Sequence, residues 1–295
     1  MTLSVIIPVY GRVNLLIQCL QSLNRDIQGD LDYSVCVVDD GSEIDEEFVR
    51  TGTQASYPLV WRSFSGNKGR SAARNEGIRA TDSDIIVFLD SDLEAMPGFL
   101  KAHMECHKEN PRIAVIGKVI WPAKGSFLRY IGTRGISKIS DGDQIPPWYF
   151  VTCNSSICRK DIPGDDLFDE QINLWGGEDL DAGMRLSASG VRFAYAPDAV
   201  SYHHFSRNIT HHTHLTYLYG RNTLPTLIKR YPELYNVVRL DILESFYGRF
   251  AIKKPVFYTL QTLARIFDFL PLPEKLFDYL TFAAYARGLQ EGKRT

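Results

Sequence analysis

Short apolar runs rich in β-branched residues recur through the first 120 positions and alternate with helical patterns. The runs occupy positions 3–9, 33–38, 59–64, 85–89 and 113–120. Helical patterns lie between them at 14–23, 43–53, 71–80 and 97–109. This alternation predicts an α/β fold with a mostly parallel, doubly wound sheet and right-handed crossovers. Ligands of such sheets bind beyond the carboxyl ends of the strands.

The middle of the chain carries fewer patterns. A strand is predicted at 151–159, a helix at 179–189 and a last strand at 191–196. Glycine and proline interrupt positions 125–147 repeatedly. This segment therefore predicts a long loop over the ligand cleft.

Helical patterns dominate beyond residue 215, with an apolar stripe at 256–270 and a second helix at 274–289. Aromatic residues on other faces, beside Lys253 and Lys254, suit a helix lying on a lipid surface. The alternative is packing on the main domain or in a homodimer. The predicted organisation is an α/β domain at 1–215, with halves at about 1–120 and 121–215, and a helical extension at 216–295.

Composition and charge narrow the class of protein to which this chain can belong. The 295 residues are 44% hydrophobic with a net charge of −2, which suits a sizeable core and gives no sign of nucleic-acid binding. From Arg221 onward, 12 basic against 7 acidic residues leave +5, so the first 220 positions carry −7. Five cysteines without a CxxC pair predict reduced thiols and a cytoplasmic location. Without a signal-peptide pattern or a long apolar window, we expect a soluble protein or one bound to the cytoplasmic face of a membrane.

Two acidic segments, DDGS at 39–42 and DSD at 90–92, directly follow predicted buried strands. Their carboxylates are hard oxygen ligands that suit Mg²⁺ or Mn²⁺. A carboxylate 4 Å from a diphosphate oxygen costs roughly 4 kcal/mol per charge pair at an effective dielectric of 20, and a bridging dication reverses that sign. Turn formation and helix capping are the alternatives. Because GxGxxG is absent after the first strand, an NAD enzyme is disfavoured.

The segment NKGRSAARN at 67–75 opens a predicted helix with basic and small residues. Amide groups at a helix start, together with arginine or lysine, form a natural site for phosphate or a nucleotide. A solvated basic face is the alternative.

The segment WGGED at 175–179 precedes another predicted helix. Its glycines allow close backbone approach to a ligand, and Trp175 offers a flat face for a sugar ring. Glu178 and Asp179 are neighbours that point in different directions on a helix, so they should have different roles. That disfavours a glycosidase, whose paired carboxylates flank one bond. Helix capping by the acids is the alternative.

Histidines follow the last predicted strand. His203 and His204 cannot easily share one metal ion, because neighbours on a strand face opposite ways. Either could be a ligand. His211, His212 and His214 are interpreted as surface or loop residues.

The initial strand VIIPVY, the DDGS and DSD segments and NKGRSAARN together resemble family 2 glycosyltransferases of the GT-A fold, in consistent order over roughly the first 215 residues. WGGED is similar to the acceptor motif of galactosyl- and N-acetylgalactosaminyltransferases. The resemblance implies nucleotide-sugar binding by Pro8, Tyr10, Asp39, Asn67, Arg70, Asp90 and Ser91. It implies a metal bound by Asp92 with His203 or His204. Asp179 corresponds to the catalytic base, and the acceptor-binding positions are Trp175, Gly176, Gly177 and Glu178.

The implied reaction is inverting and depends on Mn²⁺ or Mg²⁺. The expected donor is UDP-linked galactose, N-acetylgalactosamine or glucose, with dTDP-rhamnose as a further candidate. The acceptor would be a saccharide or a polyprenyl-linked saccharide. Two other functions remain open: a sugar nucleotidyltransferase, which would need a Gly-rich triphosphate loop after strand one that the sequence lacks, and a non-catalytic sugar-binding protein.

Overall fold

The computed structural model describes residues 1–26, 31–122, 124–135, 144–164, 166–204 and 207–292, so positions 136–143 of the predicted loop lie outside the description. The chain divides into two compact units. The first comprises Met1–Trp121, Arg134–Asn173 and Glu178–Phe205, and the second comprises Pro122–Thr133, Leu174–Gly177 and Ser206–Thr295. Both units combine separate stretches of sequence, and the division predicted at residue 215 stays a prediction.

Eight strands of the first unit form one sheet. They are β1 Leu3–Val9, β2 Tyr33–Asp39, β3 Leu59–Ser63, β4 Ile85–Leu89, β5 Leu93–Ala95, β6 Ile113–Ile120, β7 Asn154–Cys158 and β8 Arg192–His203. Their order is β3-β2-β1-β4-β7-β6-β8-β5. The β1–β2, β2–β3, β1–β4 and β6–β8 pairs are parallel, whereas β7 and β5 pair antiparallel with their neighbours. The predicted α/β fold with a mostly parallel sheet is confirmed.

Helices follow most of the predicted patterns. They are α1 Val13–Leu23, α2 Glu46–Thr53, α3 Arg70–Arg79, α4 Phe99–Glu109, α5 Gly125–Gly132, α6 Glu178–Ala188, α7 Ile209–Asn222, α8 Leu224–Arg230, α9 Leu234–Val237, α10 Phe246–Ala251, α11 Lys254–Ile266 and α12 Glu274–Gly292. No helix within the described ranges is both long and apolar enough to cross a membrane.

Both faces of the sheet are buried, which explains why β1 and β4 are continuous apolar runs. One face packs against Leu16 and Leu20 of α1. On the other face, Phe88 meets Phe168 edge to face with ring centroids 5.4 Å apart. The sheet is thereby held between two apolar layers, and its strand ends are left to carry polar residues.

A neutral polar cluster holds the antiparallel part of the sheet together. His103 lies 2.9 Å from Ser156 Oγ through Nδ1 and 3.0 Å from Asn154 Oδ1 through Nε2. Asn154 donates to the carbonyls of Lys118 and Ala199, and so joins β7 to the chain segments of β6 and β8. Burial lowers the pKa of His103 to about 4, so the ring is uncharged at neutral pH. The buried histidine therefore has a structural role in joining these strands.

The second unit is helical. Its α5 corrects the prediction of a loop throughout 125–147: Phe127 and Tyr130 bury their rings against Phe277 of α12, with centroids 5.7 and 5.1 Å away. The burial of these aromatic rings stabilises a helix there, although the glycines of this segment lower its intrinsic helix propensity. His211, His212 and His214 also lie on a helix, α7, and His212 packs 5.2 Å from the Phe127 ring.

Candidate active site

The DDGS turn at the end of β2 is shaped by Asp39 and Gly41. Asp39 is buried, and its carboxylate accepts from Ser42 N at 3.0 Å, from Ser42 Oγ at 2.5 Å and from Ile44 N at 3.1 Å. Gly41 has φ +79°, and a Cβ there would lie 2.3 Å from the carbonyl carbon of Gly66. A side chain at 41 would push away the loop that leads into α3.

Asp40 ties the same turn to the start of α3. Its Oδ1 accepts from Lys68 N at 2.7 Å, and Oδ2 accepts from Gly69 N at 3.0 Å. Burial raises the pKa of Asp40, while these two amides favour its ionised form. The end of β2 and the beginning of α3 are therefore one connected structure. The capping role considered from sequence belongs to another residue, since Asp45 caps α2.

Arg74 of α3 lies at the centre of the acidic cluster and is only 1% exposed. Its Nη2 lies 3.1 Å from Asp90 Oδ1, and Nη1 lies 3.6 Å from Glu178 Oε1 and 3.7 Å from Asp179 Oδ1. Burial opposes the charge of the guanidinium, but Asp179, Asp90 and Glu178 outweigh burial and raise the pKa of Arg74. Its Nε and Nη1 have no hydrogen-bond partner among the described residues. The cation therefore balances three carboxylates chiefly through charge.

Asp179, at the start of α6, has a pKa closer to neutral pH than an ordinary aspartate has. Burial, followed by repulsion from Glu178, raises its pKa to about 6, against the attraction of Arg74 and a hydrogen bond from Thr152 Oγ1. That bond measures 2.5 Å to Oδ1. Oδ2 is left as the oxygen that could accept another proton. A carboxylate with such a pKa suits a general base near pH 7.

Glu178 shares Arg74 with Asp179 and has Arg70 as a further partner. Its Oε1 lies 3.4 Å from Nη1 of Arg70, a half-exposed residue. Its Oε2 is buried and has no hydrogen-bond partner among the described residues. This oxygen is an unused acceptor in a polar site, which is costly unless a ligand or water satisfies it.

Asp92 lies beside one of the two adjacent histidines. Its Oδ1 is 3.8 Å from Nε2 of His203, whose ring stacks on Trp121 with centroids 4.2 Å apart. His204 turns the other way, and its Nε2 lies 2.7 Å from Oε2 of Glu94. The alternation of β8 thus separates the two rings. Asp92 also pairs with Arg12 Nη1 at 3.3 Å.

Asp92 and His203 suit a divalent cation as a partial ligand set. A carboxylate and an imidazole face each other in a mostly buried position, whereas His204 is engaged by Glu94. No group of three or more metal-ligating side chains occurs within the described ranges. Mg²⁺ and Mn²⁺ sites commonly use one or two protein ligands, with water and phosphate oxygens as the rest. The residues present therefore fit a metal held jointly with a phosphorylated ligand.

The other predicted nucleotide-side residues lie around the same strand ends. Pro8 is buried in β1 opposite Val38, and Tyr10 just beyond it is 62% exposed. Asn67 is exposed in the loop before α3. Ser91 is half-buried in the turn between β4 and β5. Their positions agree with a ligand outside the sheet, and their contacts with one stay a prediction.

Trp175, Gly176 and Gly177 belong to the second unit. Arg207 lies over the Trp175 ring, 5.7 Å from its centroid. Gly176 and Gly177 have φ of +89° and +100°, and a Cβ on Gly177 would lie 2.6 Å from Thr223 Cγ2. The sequence predicted that a ligand would lie close to the backbone of these glycines. At Gly177 the side chain of Thr223 occupies that position instead.

Sequence reasoning named Asp40 and Arg74 only within their segments, without the roles seen here, and it missed Thr152. Arg74 carried a detectable signal. It lies one helical turn after Arg70, so the two basic side chains share one face of α3. Thr152 carried no such signal, because only the fold brings it to Asp179.

The chain matches a family model described as "Glycosyl transferase family 2" over residues 4–162. It is 31% identical to the uncharacterized glycosyltransferase YfnE of Bacillus subtilis over 255 residues, covering 69% of this chain and 64% of that protein. The chain spans less than two thirds of the length of the curated relatives it matches.

Two solved structures share the fold. TarS residues 1–349 of S. aureus has a TM-score of 0.63 and 16% identity, covering 100% of this chain and 91% of that one. The mannosyltransferase PcManGT of Pyrobaculum calidifontis, in complex with GDP-Man and Mn²⁺, has a TM-score of 0.63 and 17% identity, covering 98% and 86%. At such identities the likeness concerns the fold, and it confirms the GT-A expectation.

The cause assigned to the pKa of Asp179 can be tested directly. Glu178→Gln removes the neighbouring negative charge, so the pKa of Asp179 should fall from about 6 toward the ordinary aspartate value. Carbon-13 NMR titration of labelled aspartate carboxyls measures it. Glu105→Gln, on the exposed side of α4, is the control and should leave the titration unchanged. An unchanged pKa in Glu178→Gln would show that burial alone sets the value.

Proposed function

Because this chain belongs to glycosyl transferase family 2, we propose that it transfers a sugar from a nucleotide-sugar donor to a hydroxyl group of an acceptor, with inversion. The observation that carries the proposal is buried Arg74 with Asp90, Glu178 and Asp179 around it. The acceptor oxygen forms a bond to the anomeric carbon. The bond from that carbon to the diphosphate oxygen breaks, and the acceptor proton moves to Asp179.

Asp179 is the proposed base. With a pKa of about 6 it is mostly ionised at pH 7 yet basic enough to take a proton in the transition state. The hydrogen bond from Thr152 fixes Oδ1 and leaves Oδ2 for the acceptor hydroxyl. Arg74 holds the carboxylate in place and keeps the cluster from repelling the donor outright.

The donor is proposed to bind along the ends of β1, β2 and β4. The supporting positions are Pro8, Tyr10, Asp39, Asn67, Arg70, Asp90 and Ser91. Three hydrogen bonds to the Asp39 carboxylate order its turn, and Asp40 holds the amides of Lys68 and Gly69 just before Arg70. A pre-organised loop carrying Arg70 would hold an anionic ligand at low entropic cost.

Asp92 and His203 are the proposed metal ligands. A Mn²⁺ or Mg²⁺ ion bound there would neutralise charge on the leaving diphosphate. Asp92 supplies a hard oxygen, and stacking on Trp121 orients the His203 ring. The contact of His204 with Glu94 supports His203, rather than His204, as the metal ligand.

The acceptor side is proposed to include Trp175, Gly176, Gly177 and Glu178. Support is clearest for Glu178, whose Oε2 is buried without a hydrogen-bond partner among the described residues. An acceptor hydroxyl could satisfy it. Donor identity is less constrained, because solved structures of this fold hold UDP-GlcNAc in TarS and GDP-Man in PcManGT. UDP-linked galactose, N-acetylgalactosamine or glucose is proposed from the sequence resemblance.

Asp179→Asn should lower turnover by about 10²–10⁴-fold while donor binding persists, because an amide accepts no proton. Turnover is measured as donor consumption with a saccharide acceptor, and donor binding by a thermal-shift screen of nucleotide sugars. In the native protein, kcat/KM should rise with pH through about 6 as Asp179 loses its proton.

The matched control is Asp166→Asn, which removes an exposed carboxylate of the first unit and should leave turnover unchanged. Equal loss of donor binding and turnover in Asp179→Asn would make Asp179 structural. Full activity in that variant would rule out the proposed base.

The metal proposal is tested by a pair of adjacent substitutions. His203→Gln should weaken Mn²⁺-dependent UDP binding by at least about tenfold, as should Asp92→Asn. His204→Gln should leave it intact, because that ring faces Glu94. Calorimetric titration of UDP with and without Mn²⁺ measures the difference. Native UDP binding that is indifferent to Mn²⁺ and to chelator would refute the metal role.

A peripheral membrane contact is proposed for the second unit, in keeping with a polyprenyl-linked acceptor. Large apolar side chains of this unit are exposed, including Phe246, Phe250, Leu263, Ile266, Phe267 and Phe269. Arg249, Lys253 and Arg265 share the same segments. Exposed aromatic and basic residues together suit the headgroup region of an anionic bilayer.

The double variant Phe246→Ser/Phe269→Ser should lose most binding to vesicles of phosphatidylglycerol and phosphatidylcholine in a sedimentation assay. These two rings are 71% and 74% exposed. Phe48→Ser, a 54% exposed phenylalanine of the first unit, is the control and should bind as the native protein does. Unchanged lipid binding would contradict the proposal, as would a change from dimer to monomer in the double variant, which would assign this surface to a second copy of the chain.

A further inference from the structure

The helical unit contains a cavity of its own. It measures about 310 Å³ and lies between α7, α11 and α12, and all its lining residues belong to the second unit. It shares no residue with the strand-end cluster of Asp92, Arg74 and Asp179. Its volume is at the lower end of the range for small-molecule sites.

Arg287 is one of three charged residues that line this cavity, together with Lys254 and Glu291. The residue is only 7% exposed, and its guanidinium lies over the rings of Phe257 and Tyr258, 4.5 and 4.9 Å from their centroids. Among the described residues it makes one hydrogen bond, 3.5 Å to Tyr258 Oη, and no ion pair. A guanidinium has five donors, so most of them are unused. A buried cation in this state is costly without an anionic partner.

The nearby carboxylate of Glu291 is already engaged. It accepts from Tyr217 Oη at 2.5 Å and pairs with Lys254 Nζ at 3.4 Å. The hydrogen bond from Tyr217, followed by the contact with Lys254, outweighs burial and lowers the pKa of Glu291. Arg287 also attracts this carboxylate, but at longer range. Glu291 therefore orders one wall of the cavity and leaves the donors of Arg287 free for a ligand.

Neutral groups complete the lining. Gln261 is buried and donates to Thr213 Oγ1, which leaves its carbonyl oxygen as an acceptor for a hydroxyl group. The rings of Phe257 and Tyr258 provide apolar faces. A guanidinium, an amide oxygen and aromatic faces in one cavity match the groups of a sugar that carries an anion.

We propose that this cavity is a second binding site, specific for a small phosphorylated saccharide, with the phosphate at Arg287 and hydroxyl groups at Gln261. The proposal does not depend on the transfer reaction, since the two sites share no residue. Arg and phosphate pair through two parallel hydrogen bonds, which uses the donors that the protein leaves unpaired.

The full chain is titrated calorimetrically with glucose 6-phosphate, glucose and inorganic phosphate. Glucose 6-phosphate should bind at millimolar concentration and more tightly than either part alone. Arg287→Met should weaken it at least about tenfold, whereas Arg265→Met, the same charge change at an exposed position of α11, should not. Arg287→Lys should restore part of the affinity, because it keeps the charge without the planar fork.

Gln261→Leu provides a second variant if Arg287→Met fails to fold, and it should weaken glucose 6-phosphate while leaving inorganic phosphate unaffected. Absence of binding to the native chain would overturn the proposal. So would equal binding by Arg287→Met and Arg265→Met, which would place the sugar phosphate elsewhere and leave Arg287 as a packing residue against two rings.

Discussion

The candidate active site depends on one buried guanidinium. Arg74 meets Asp90 from the end of β4, and Glu178 and Asp179 from the start of α6. Without this cation, three carboxylates would repel one another around the buried side chain of Glu178. Burial, followed by repulsion from Glu178, raises the pKa of Asp179, and the attraction of Arg74 opposes that rise. Arg74 therefore holds the carboxylates together and moderates the pKa of Asp179.

Hydrogen bonds to the carboxylate of Asp40 set the position of the Arg74 guanidinium. Asp40 follows β2, and it accepts hydrogen bonds from the backbone amides of Lys68 and Gly69 just before α3 begins. Gly69 itself has φ +92°, a left-handed conformation that L-residues with side chains rarely adopt. Together these features aim the first turn of α3 at the strand ends, so that Arg70 and Arg74 face the acidic residues.

The strands β1, β4 and β6 were predictable from sequence to within a residue or two, because they are β-branched runs whose burial explains their composition. By contrast, β8 continues to His203, beyond its predicted end at 196, and β5 was not predicted. The acidic turns were predictable for the same reason, since they begin where the apolar runs stop. The role of Arg74 was not, because its partner Asp179 is distant in sequence and the segment around Arg74 was interpreted as a phosphate or nucleotide site. The helix α5 was also missed, because its stability comes from contacts with Phe277.

The two adjacent histidines show what local sequence patterns predict and what only the tertiary structure determines. Strand alternation predicts that His203 and His204 face opposite ways, but not which one reaches Asp92. That choice depends on β5, a strand of three residues that is too short to show a period. Leu93 of β5 pairs with His203 in the antiparallel ladder, which places Asp92 beside the His203 ring and Glu94 beside His204. A short strand without a detectable sequence pattern thus decides which imidazole belongs to the candidate metal site.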